Sequence, residues 1–490
     1  MVLETEILII MTILLPFCAS ILNFVLHKSE NLRDLVTLLI SIVTFCLVLR
    51  ILILFNQGVS FDVSIINILP ELDLGFNIEP LGLLFAVVAS GLWIVTHIYA
   101  IGYMRGNKEK NRAKFFAFFS IAIGTVMGLA FSKNLFTLFI FYELLTLSTF
   151  PLVAHKGTPE ALKGAKTYLA ILLGTSVGFQ LIAIVYVYWL AGTLEFTNQG
   201  ILSGRATNFE TAILLALFAF GIGKAALMPF HKWLPAAMVA PTPVSALLHA
   251  VAVVKAGVFT ILKVGIYIFG IDFLTTTGAS QWLVWLASFS ILSASIVAMS
   301  KDNLKARLAY STVSQLAYIT LGMALANSLG MIGGALHIAT HALGKITLFM
   351  CAGCIYVATH KTKVSEMEGL GRVMPITFGA FFIGTISIIG LPPMGGSWSK
   401  WLLVISAIEA EHIFVVAAFM ISSLLNIGYL LPIVARGYFL KGATESYLVT
   451  PKIKEGPILC WLPLIITSLG CLILFFYASE VRQFLIPITY

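Results

Sequence analysis

Long apolar stretches dominate the sequence, and most of them have the length of a membrane-spanning helix. A helix needs about 20 mostly apolar residues to cross the hydrocarbon core of a bilayer, and such windows recur along all 490 residues. Only 11% of the residues are charged, whereas ordinary soluble domains have about 25%. These features predict an all-α polytopic membrane protein and leave no room for a large soluble catalytic domain.

Apolar windows of this length predict about 14 transmembrane helices. The first window begins too early to be a cleaved signal peptide, and it lacks the basic flank that such a peptide has. Between the second and third windows, the alternating segment 56–79 predicts a short hairpin on the outer face. The fourteen windows, called spans one to fourteen, cover residues 6–26, 34–55, 80–103, 115–132, 134–154, 167–191, 211–230, 243–270, 280–300, 304–324, 330–358, 375–408, 413–435 and 457–479.

The lysines and arginines are concentrated in alternate loops. The odd-numbered loops between spans hold 21 of them, and the even-numbered loops hold 2. Because cytoplasmic loops are enriched in lysine and arginine, the odd loops are predicted to face the cytoplasm, with both termini on the other side of the cell membrane, a bacterial inner membrane. This distribution also explains most of the net charge of +8, so the charge does not indicate a nucleic-acid partner.

Some ionisable residues lie inside the predicted spans. Such groups cost at least about 2.5 kcal/mol each on insertion scales and mark ion or substrate paths by default. A carboxylate in the middle of span five must be neutral or paired with a cation, and a purely structural ion pair between helices is the alternative. A lysine near a helix end, such as Lys263, is expected to extend to the interface. The residues within spans are Glu143, Lys224, Lys255, Lys263, Lys345 and Lys400.

Two spans combine a lysine with residues that break helices. Lys224 precedes Pro229 by five residues in span seven, and Lys400 follows Pro392 and Pro393 in span twelve. Proline interrupts helical hydrogen bonding, and broken helices beside a polar residue recur at transport sites. Because the two breaks are five spans apart, we expect two inverted five-helix repeats with broken helices 7 and 12.

These repeats would divide the chain into four parts. Residues 1–112 hold the first three spans and the outer loop, and 113–270 form the first inverted repeat, helices 4 to 8. Residues 271–440 form the second, helices 9 to 13, and 441–490 hold the last span. An odd number of spans in each repeat inverts the second copy relative to the first.

Span eleven places His337, His341 and Lys345 at intervals of four residues. Such spacing puts them on one helical stripe about 12 Å long. The column suits proton transfer, because histidine takes up and releases protons near neutral pH. A zinc site is the alternative, but no further ligand cluster completes one. In span eight, His249 and Lys255 are six residues apart, about 240° around the helix, so they face different neighbours.

No cofactor site is evident in the sequence. The six cysteines lie in or near apolar segments, so no disulfide framework is expected. Cys351 and Cys354 form a C-x-x-C pair within an apolar run, without the strand-then-helix context of a redox motif. The chain has no nucleotide-binding loop, flavin site or iron–sulfur cysteine spacing.

Three stretches around these residues resemble the antiporter-like subunit family of Mrp-type cation/proton antiporters, respiratory complex I and membrane-bound hydrogenases. They are residues 223–259, HIATHALGKITLFMCAG at 337–353 and GLPPMGGSWSK at 390–400, and the resemblance covers nearly the whole chain. The sequence from Met394 to Ser397 departs from the phenylalanine-containing turn that is common there. The resemblance implies a mid-membrane hydrophilic axis, with proton entry by one half and exit by the other, formed by Glu143, Lys224, His249, Lys255, Lys345 and Lys400.

We therefore expect a proton-translocating subunit of a multisubunit monovalent-cation (Na⁺)/H⁺ antiporter, with other hydrophobic subunits as partners. Lys400 and the end of the chain after span fourteen favour the D-type component of an Mrp complex. Hard cations want several oxygen ligands, and one mid-membrane carboxylate is present, so the cation path is expected in another subunit.

Three alternatives stay open. The first is a proton-pumping membrane-arm subunit of NADH-quinone oxidoreductase (complex I) or of a related hydrogenase; the redox chemistry would then belong to partners. The second is a scaffold subunit whose buried charges only orient helices. The third, a stand-alone carrier of organic solutes, has less support, because no aromatic-lined polar substrate site is evident.

Overall fold

The computed structural model describes residues 2–69, 72–440 and 453–489. The side chain of His249 lies outside this description, and so does the start of the last predicted part at residue 441. In the described part of the chain, eleven helices are long and apolar enough to cross a membrane. Each of the fourteen predicted windows contains helix, and the prediction of an all-α polytopic membrane protein is confirmed.

The first half of the chain forms helices around one hairpin. Two of its membrane-crossing segments continue through π-helical turns, at Ser176–Gln180 and at Leu248–Ala252 with Gly265–Phe269. The elements are α1 Val2–Val25, α2 Glu30–Asn56, β1 Asp62–Leu69, β2 Leu72–Asn77, α3 Pro80–Gly106, α4 Arg112–Ala130, α5 Leu135–Val153, α6 Pro159–Thr175, α7 Leu181–Ala191, α8 Asn208–Gly221, α9 Trp233–Ala236, α10 Thr242–Leu247 and α11 Val253–Val264.

The regular elements in the described residues of the second half are all helices. Its longest helix, α15, has 32 residues. The elements are α12 Ile271–Thr277, α13 Gln281–Ser300, α14 Leu304–Ala324, α15 Ser328–Thr359, α16 Leu370–Val373, α17 Pro375–Ile389, α18 Gly396–Glu409, α19 Ile413–Phe439, α20 Ile458–Phe476 and α21 Ala478–Leu485.

The predicted hairpin is present as the antiparallel pair of β1 and β2, with Asp62 opposite Asn77. It is fixed to the start of α5, because the Asn134 side-chain amide donates to the backbone oxygen and to a carboxylate oxygen of Asp73, both at 2.8 Å. The hairpin therefore positions the first turn of α5, the helix that carries Glu143.

The helices differ strongly in how much of their surface is covered. Segment Thr242–Phe269, which includes α10 and α11, is entirely buried over its most apolar window. In α2, by contrast, large apolar side chains such as Leu35 and Leu39 are about half exposed. Apolar side chains on a membrane protein's surface meet lipid or neighbouring subunits, so α10 and α11 lie at the centre and α2 at the periphery.

α5 and α14 begin in the same way. Asn134 caps α5 and Asn303 caps α14, each accepting a hydrogen bond from the backbone N–H three residues ahead, at 2.8 and 3.0 Å. The next residues, Leu135 and Leu304, donate their N–H groups to carbonyls just beyond the following membrane-crossing segment, at 3.0 and 2.9 Å. These matched connections, five spans apart, support the proposed repeat, whose boundaries stay a prediction.

The first helix break begins earlier than Pro229. α8 ends at Gly221, and Lys224 lies in a 3₁₀ turn inside the break. α11 packs closely against this part of the break: a Cβ on Gly257 would lie 2.2 Å from the backbone at residues 224 and 225, a distance that only glycine permits. Pro229 lies within the break, as predicted, because the next helix begins only at Trp233; the start of the break before Lys224 was not predicted.

The second break agrees with the prediction. α17 ends before Gly390, which has a φ of 90°, and α18 begins at Gly396, so Pro392 and Pro393 lie in the break. Lys400 occupies the second turn of α18. The Lys400 stem runs back across the break, because a Cβ on Gly390 would lie 2.6 Å from its Cδ.

Candidate functional site

Lys224 is fully buried in the first break, against α5. Its ammonium donates to the backbone oxygen of Tyr142 at 2.8 Å and to the Thr146 hydroxyl at 2.6 Å. The same nitrogen lies 3.1 Å from the centre of the Tyr142 ring, where the negative ring face attracts a cation. These contacts replace part of the hydration that the ammonium loses on burial.

Glu143 is next to these contacts on α5 but does not form an ion pair with Lys224. Both of its carboxylate oxygens are buried and lack a hydrogen-bond partner among the described residues. On the same helix, Leu144 and Leu147 are 41% and 52% exposed, so Glu143 lies beside the outward face of α5. The predicted Glu143–Lys224 pair is therefore separated in this structure.

The centre of the site is a contact between α11 and α15. The Lys255 ammonium and Nδ1 of His341 are 2.7 Å apart, and the rings of His341 and His337 have centroids 5.7 Å apart. Nδ1 of His337 lies 2.9 Å from the hydroxyl of Ser399 on α18. Three titratable groups and one hydroxyl, from three helices, thus form a single buried series.

Aromatic and polar groups extend this series to the second break. The Tyr318 ring stacks on His337 with centroids 5.7 Å apart, and the Lys400 ammonium lies 4.9 Å from the Tyr318 ring centre. Lys400 also donates to the Ile389 backbone oxygen at 3.0 Å and to the Ser423 hydroxyl at 3.4 Å. It lines a cavity of about 730 Å³ with mostly apolar walls.

Lys345 leaves the stripe that the sequence predicts. One turn beyond His341, its ammonium turns to α14 and donates to the Ser311 hydroxyl at 2.5 Å. Ser311 accepts a further hydrogen bond from the Tyr429 hydroxyl at 2.8 Å. The column of His337, His341 and Lys345 is thus divided: the two histidines contact Lys255 and Ser399, and Lys345 begins a side branch towards α19.

No metal site accompanies these groups in the described part of the chain, where no three His, Cys, Asp or Glu residues cluster. Among the residues that the structure describes, the site holds four buried lysines and two histidines, with Glu143 as the carboxylate beside them. Such an arrangement can take up and pass on protons, but it offers few oxygen ligands for a cation.

Several partners were missed from the sequence. Tyr142, Thr146, Ser311 and Ser399 complete the hydrogen bonds of the buried lysines and His337. Hydroxyl residues are frequent in membrane helices, so the sequence alone does not single them out. Their position could have indicated them, because each lies one turn or less from a predicted titratable residue on the same or a facing helix.

Two charged networks outside the axis were also missed. Lys263 is fully buried and does not extend to solvent: its ammonium lies 3.4 Å from the Glu79 carboxylate. Asp34 bridges Arg33 at 2.6 Å and Arg105 at 2.5 Å. Because these residues lie near span ends, the sequence assigned them to loops or interfaces.

The loops around the hairpin carry a further ion-pair cluster. Lys133 lies 3.2 Å from both the Asp62 and the Glu195 carboxylates. Partial burial alone would lower the pKa of Lys133, but these two carboxylates hold its pKa above the ordinary value. The cluster ties the hairpin to the start of α5 and to the loop after α7.

The helical fold, its two broken spans and the lysines beside them define an antiporter-like membrane subunit. A family model described as "NADH:quinone oxidoreductase/Mrp antiporter, TM" matches residues 132–426, and one described as "NADH-Ubiquinone oxidoreductase (complex I), chain 5 N-terminus" matches residues 69–116. The chain belongs to this NADH:quinone oxidoreductase/Mrp antiporter family.

Curated relatives include quinone oxidoreductase subunits. The chain is 32% identical over 443 residues to NADH-quinone oxidoreductase subunit N of Desulforudis audaxviator, covering 85% of this chain and 86% of that protein. It is 31% identical over 361 residues to NAD(P)H-quinone oxidoreductase chain 5 of Picosynechococcus sp., covering 70% of this chain and 53% of that protein. The chain thus spans about half the length of that chain 5 relative.

Solved structures share the fold. A chain of the archaeal membrane-bound sulfane sulfur reductase superposes with a TM-score of 0.87 at 22% identity, covering 98% of this chain and 97% of that one. A chain of the Mrp complex from Dietzia sp. superposes with a TM-score of 0.86 at 21% identity, covering 100% and 97%. Both neighbours are subunits of multisubunit membrane complexes.

Proposed function

We propose that the chain is the proton-translocating subunit of a multisubunit monovalent-cation/proton antiporter, in the position of the D-type component of an Mrp complex. The observation that carries the proposal is the buried series from Lys255 through His341 and His337 to Ser399, with successive contacts of 2.7, 5.7 and 2.9 Å. A proton can move along such a series with intervening water, because lysine and histidine each exist with and without it.

Glu143 supplies the switch in this mechanism. A carboxylate beside Lys224 stabilises its ammonium, and the ammonium loses that stabilisation when the carboxylate turns away. The separated pair, and the position of Glu143 beside the outward face of α5, support a carboxylate that exchanges between Lys224 and a neighbouring subunit. The proton released from Lys224 would then pass towards Lys255.

Lys400, beside the second helix break, gates proton exchange with one aqueous side of the membrane in this mechanism. It lies in the second turn after a helix break and lines a cavity, so movement at the break changes its access to water. Lys345, with Ser311 and Tyr429, would form a side branch of the same proton path. The cation path itself is proposed in another subunit, because Glu143 is the one mid-membrane carboxylate in the sequence.

The test uses everted membrane vesicles that contain the complete complex. Adding NaCl should collapse an imposed pH gradient, followed with a fluorescent pH probe, and the Lys224→Ala variant should lose this response. Sodium-dependent proton flux that persists when Lys224, Lys255 and Lys400 are all replaced would favour a scaffold role.

A second candidate is a proton-pumping subunit of a quinone oxidoreductase. The observation that favours it is the 32% identity with the Desulforudis NADH-quinone oxidoreductase relative over 85% of this chain. NADH-driven, quinone-dependent acidification of the same vesicles without a sodium requirement would decide for this candidate.

A further inference from the structure

A cavity of about 420 Å³ opens on the face that carries the basic loops. Its lining comes from several connections: the loop after α5, the start of α10, the first turn of α14 and the loop after α15. Three of the lining side chains are lysines, Lys156, Lys305 and Lys361. None of these residues belongs to the axis described above.

The lysines have no carboxylate partner in the cavity lining. The Lys305 ammonium donates to the Ala240 backbone oxygen at 2.6 Å, and the Lys156 ammonium lies 5.9 Å from the centre of the Tyr356 ring. Glu109 acts electrostatically on Lys305 but does not line the cavity. The positive charge in this cavity is therefore only partly balanced by the described residues.

A second feature adds positive potential to the same space. The first residues of α14, from Asn303 to Ala306, line the cavity, and this helix runs for 21 residues. The N-terminus of a helix carries a partial positive charge and suits anions. Lysine ammonium groups are common phosphate ligands, and basic pockets between membrane helices on the cytoplasmic side bind phosphate-bearing lipid head groups.

We propose that this cavity binds a phosphate-bearing anion, from an anionic lipid head group or from a soluble phosphate. Lys156 and Lys361 contact the anion from two loops, and Lys305 contributes charge from the first turn of α14. Phosphate is favoured over a cation because the described lining offers three lysines and no carboxylate.

The position of the cavity suggests a regulatory effect, which rests on the proposed function. Thr242, the first residue of α10, lines the cavity, and Lys255 is 13 residues further along the same buried segment, about 20 Å at helical rise. The lysine charges at this entrance repel protons and cations that approach from the basic face. A bound anion neutralises them, so it should increase proton flux.

Binding is tested separately from transport, with the purified complex in phosphate-free buffer. Radiolabelled inorganic phosphate is the first probe, and the second is phosphatidylglycerol retained from mixed vesicles and measured by mass spectrometry. The test variant combines Lys156→Gln with Lys361→Gln. The matched control is Lys363→Gln, two residues further along the same loop, exposed and outside the cavity lining.

We expect the control to bind like the wild type and the double variant to bind at least tenfold more weakly. If the double variant weakens the binding of inorganic phosphate, the anion has a soluble source. If the double variant abolishes the retention of phosphatidylglycerol, the anion is a lipid head group. Equal binding by all three proteins, or no binding of either probe, would overturn the site. Binding without any flux in the wild type would instead contradict the proposed function, and binding that leaves flux unchanged would refute the regulatory effect.

Discussion

Lys224 illustrates how a membrane protein can bury an ammonium group without a direct ion pair. Its three protons can be satisfied by a backbone oxygen and a hydroxyl of α5, and a tyrosine ring face covers the remaining direction. Each contact is polar but neutral, so the charge is solvated and not cancelled. A charge held in this way responds strongly to a carboxylate that moves by a few ångströms.

Glu143→Gln should abolish sodium-dependent proton flux, with at least a tenfold loss, while the complex still assembles. The amide keeps the shape of the side chain but removes the charge that would switch Lys224. Because the Glu143 oxygens have no partner among the described residues, the amide breaks no hydrogen bond of the fold. The vesicle assay measures flux and a native gel measures assembly, with the exposed Glu160→Gln variant as control. Normal flux in the Glu143 variant would refute the switch.

Lys255 and His341 should act as consecutive members of one path. Lys255→Met and His341→Gln should each reduce proton flux at least tenfold. The double variant should be no slower than the slower single variant, because two breaks in one series do not add. Flux is measured in the wild type, the two single variants and the double variant, which form a double-mutant cycle. Losses that multiply independently would mean that the 2.7 Å contact between Lys255 and His341 is not part of a shared path.

At the scale of elements, the first helix break packs against a helix that lies about 30 residues further along the chain. α11 approaches the break so closely at Gly257 that a Cβ there would overlap the backbone of residues 224 and 225. The break therefore combines a proline at Pro229 with a close helix contact that requires glycine at position 257. This contact also fixes how far Lys224 lies from Lys255, two residues before Gly257.

Gly257→Ala should destabilise the protein by roughly 1–3 kcal/mol, the usual cost of overpacking, and should reduce flux by displacing Lys224. Gly379→Ala is the matched control, because nothing lies within 4 Å of its Cβ position; it should be neutral or slightly stabilising, since alanine favours helix. Thermal unfolding of the purified complex compares the two. Equal stabilities would show that the break does not need this contact.

The sequence predicted the elements that depend on local chemistry. Apolar windows located the spans, alternation located the hairpin, and Pro392 and Pro393 located the second break. The sequence did not predict contacts made by distant elements: Gly257 meets the backbone of the first break, and Lys345 turns to Ser311 instead of following His341. The position of a residue on a helical stripe gives the direction of its Cβ. The position of a lysine ammonium group, at the end of a long side chain, depends on the nearest hydrogen-bond acceptor.

At the scale of the whole molecule, one buried segment joins two differently charged cavities. Thr242, at the start of α10, lines the cavity with three lysines and, among the described residues, no carboxylate. Lys263 and Tyr267, at the far end of the same segment, line a cavity of about 430 Å³ that also contains Glu79. Because Lys255 lies between them, the central helix has an electrostatic direction across the membrane.

This direction can be assigned to the two sides of the cell membrane by labelling. Cysteines are introduced at Ser203, in the loop after α7, and at Lys110, in the loop after α3, which are both exposed. The positive-inside distribution predicts that an impermeant maleimide labels Ser203→Cys in intact cells and labels Lys110→Cys only after permeabilisation. The reverse pattern would place the basic loops and the lysine cavity outside.

Assembly is the remaining property of the whole molecule. Large apolar side chains are exposed on peripheral helices, and Glu143 lies beside an outward face, so neighbouring subunits are expected to cover part of this surface. Purified in mild detergent, the chain should therefore migrate in a native gel together with small hydrophobic subunits that carry no flavin or iron. A co-migrating flavin and iron–sulfur module would instead make the chain part of a redox pump. Migration of the chain alone would contradict both, because the switch at Glu143 requires a neighbour.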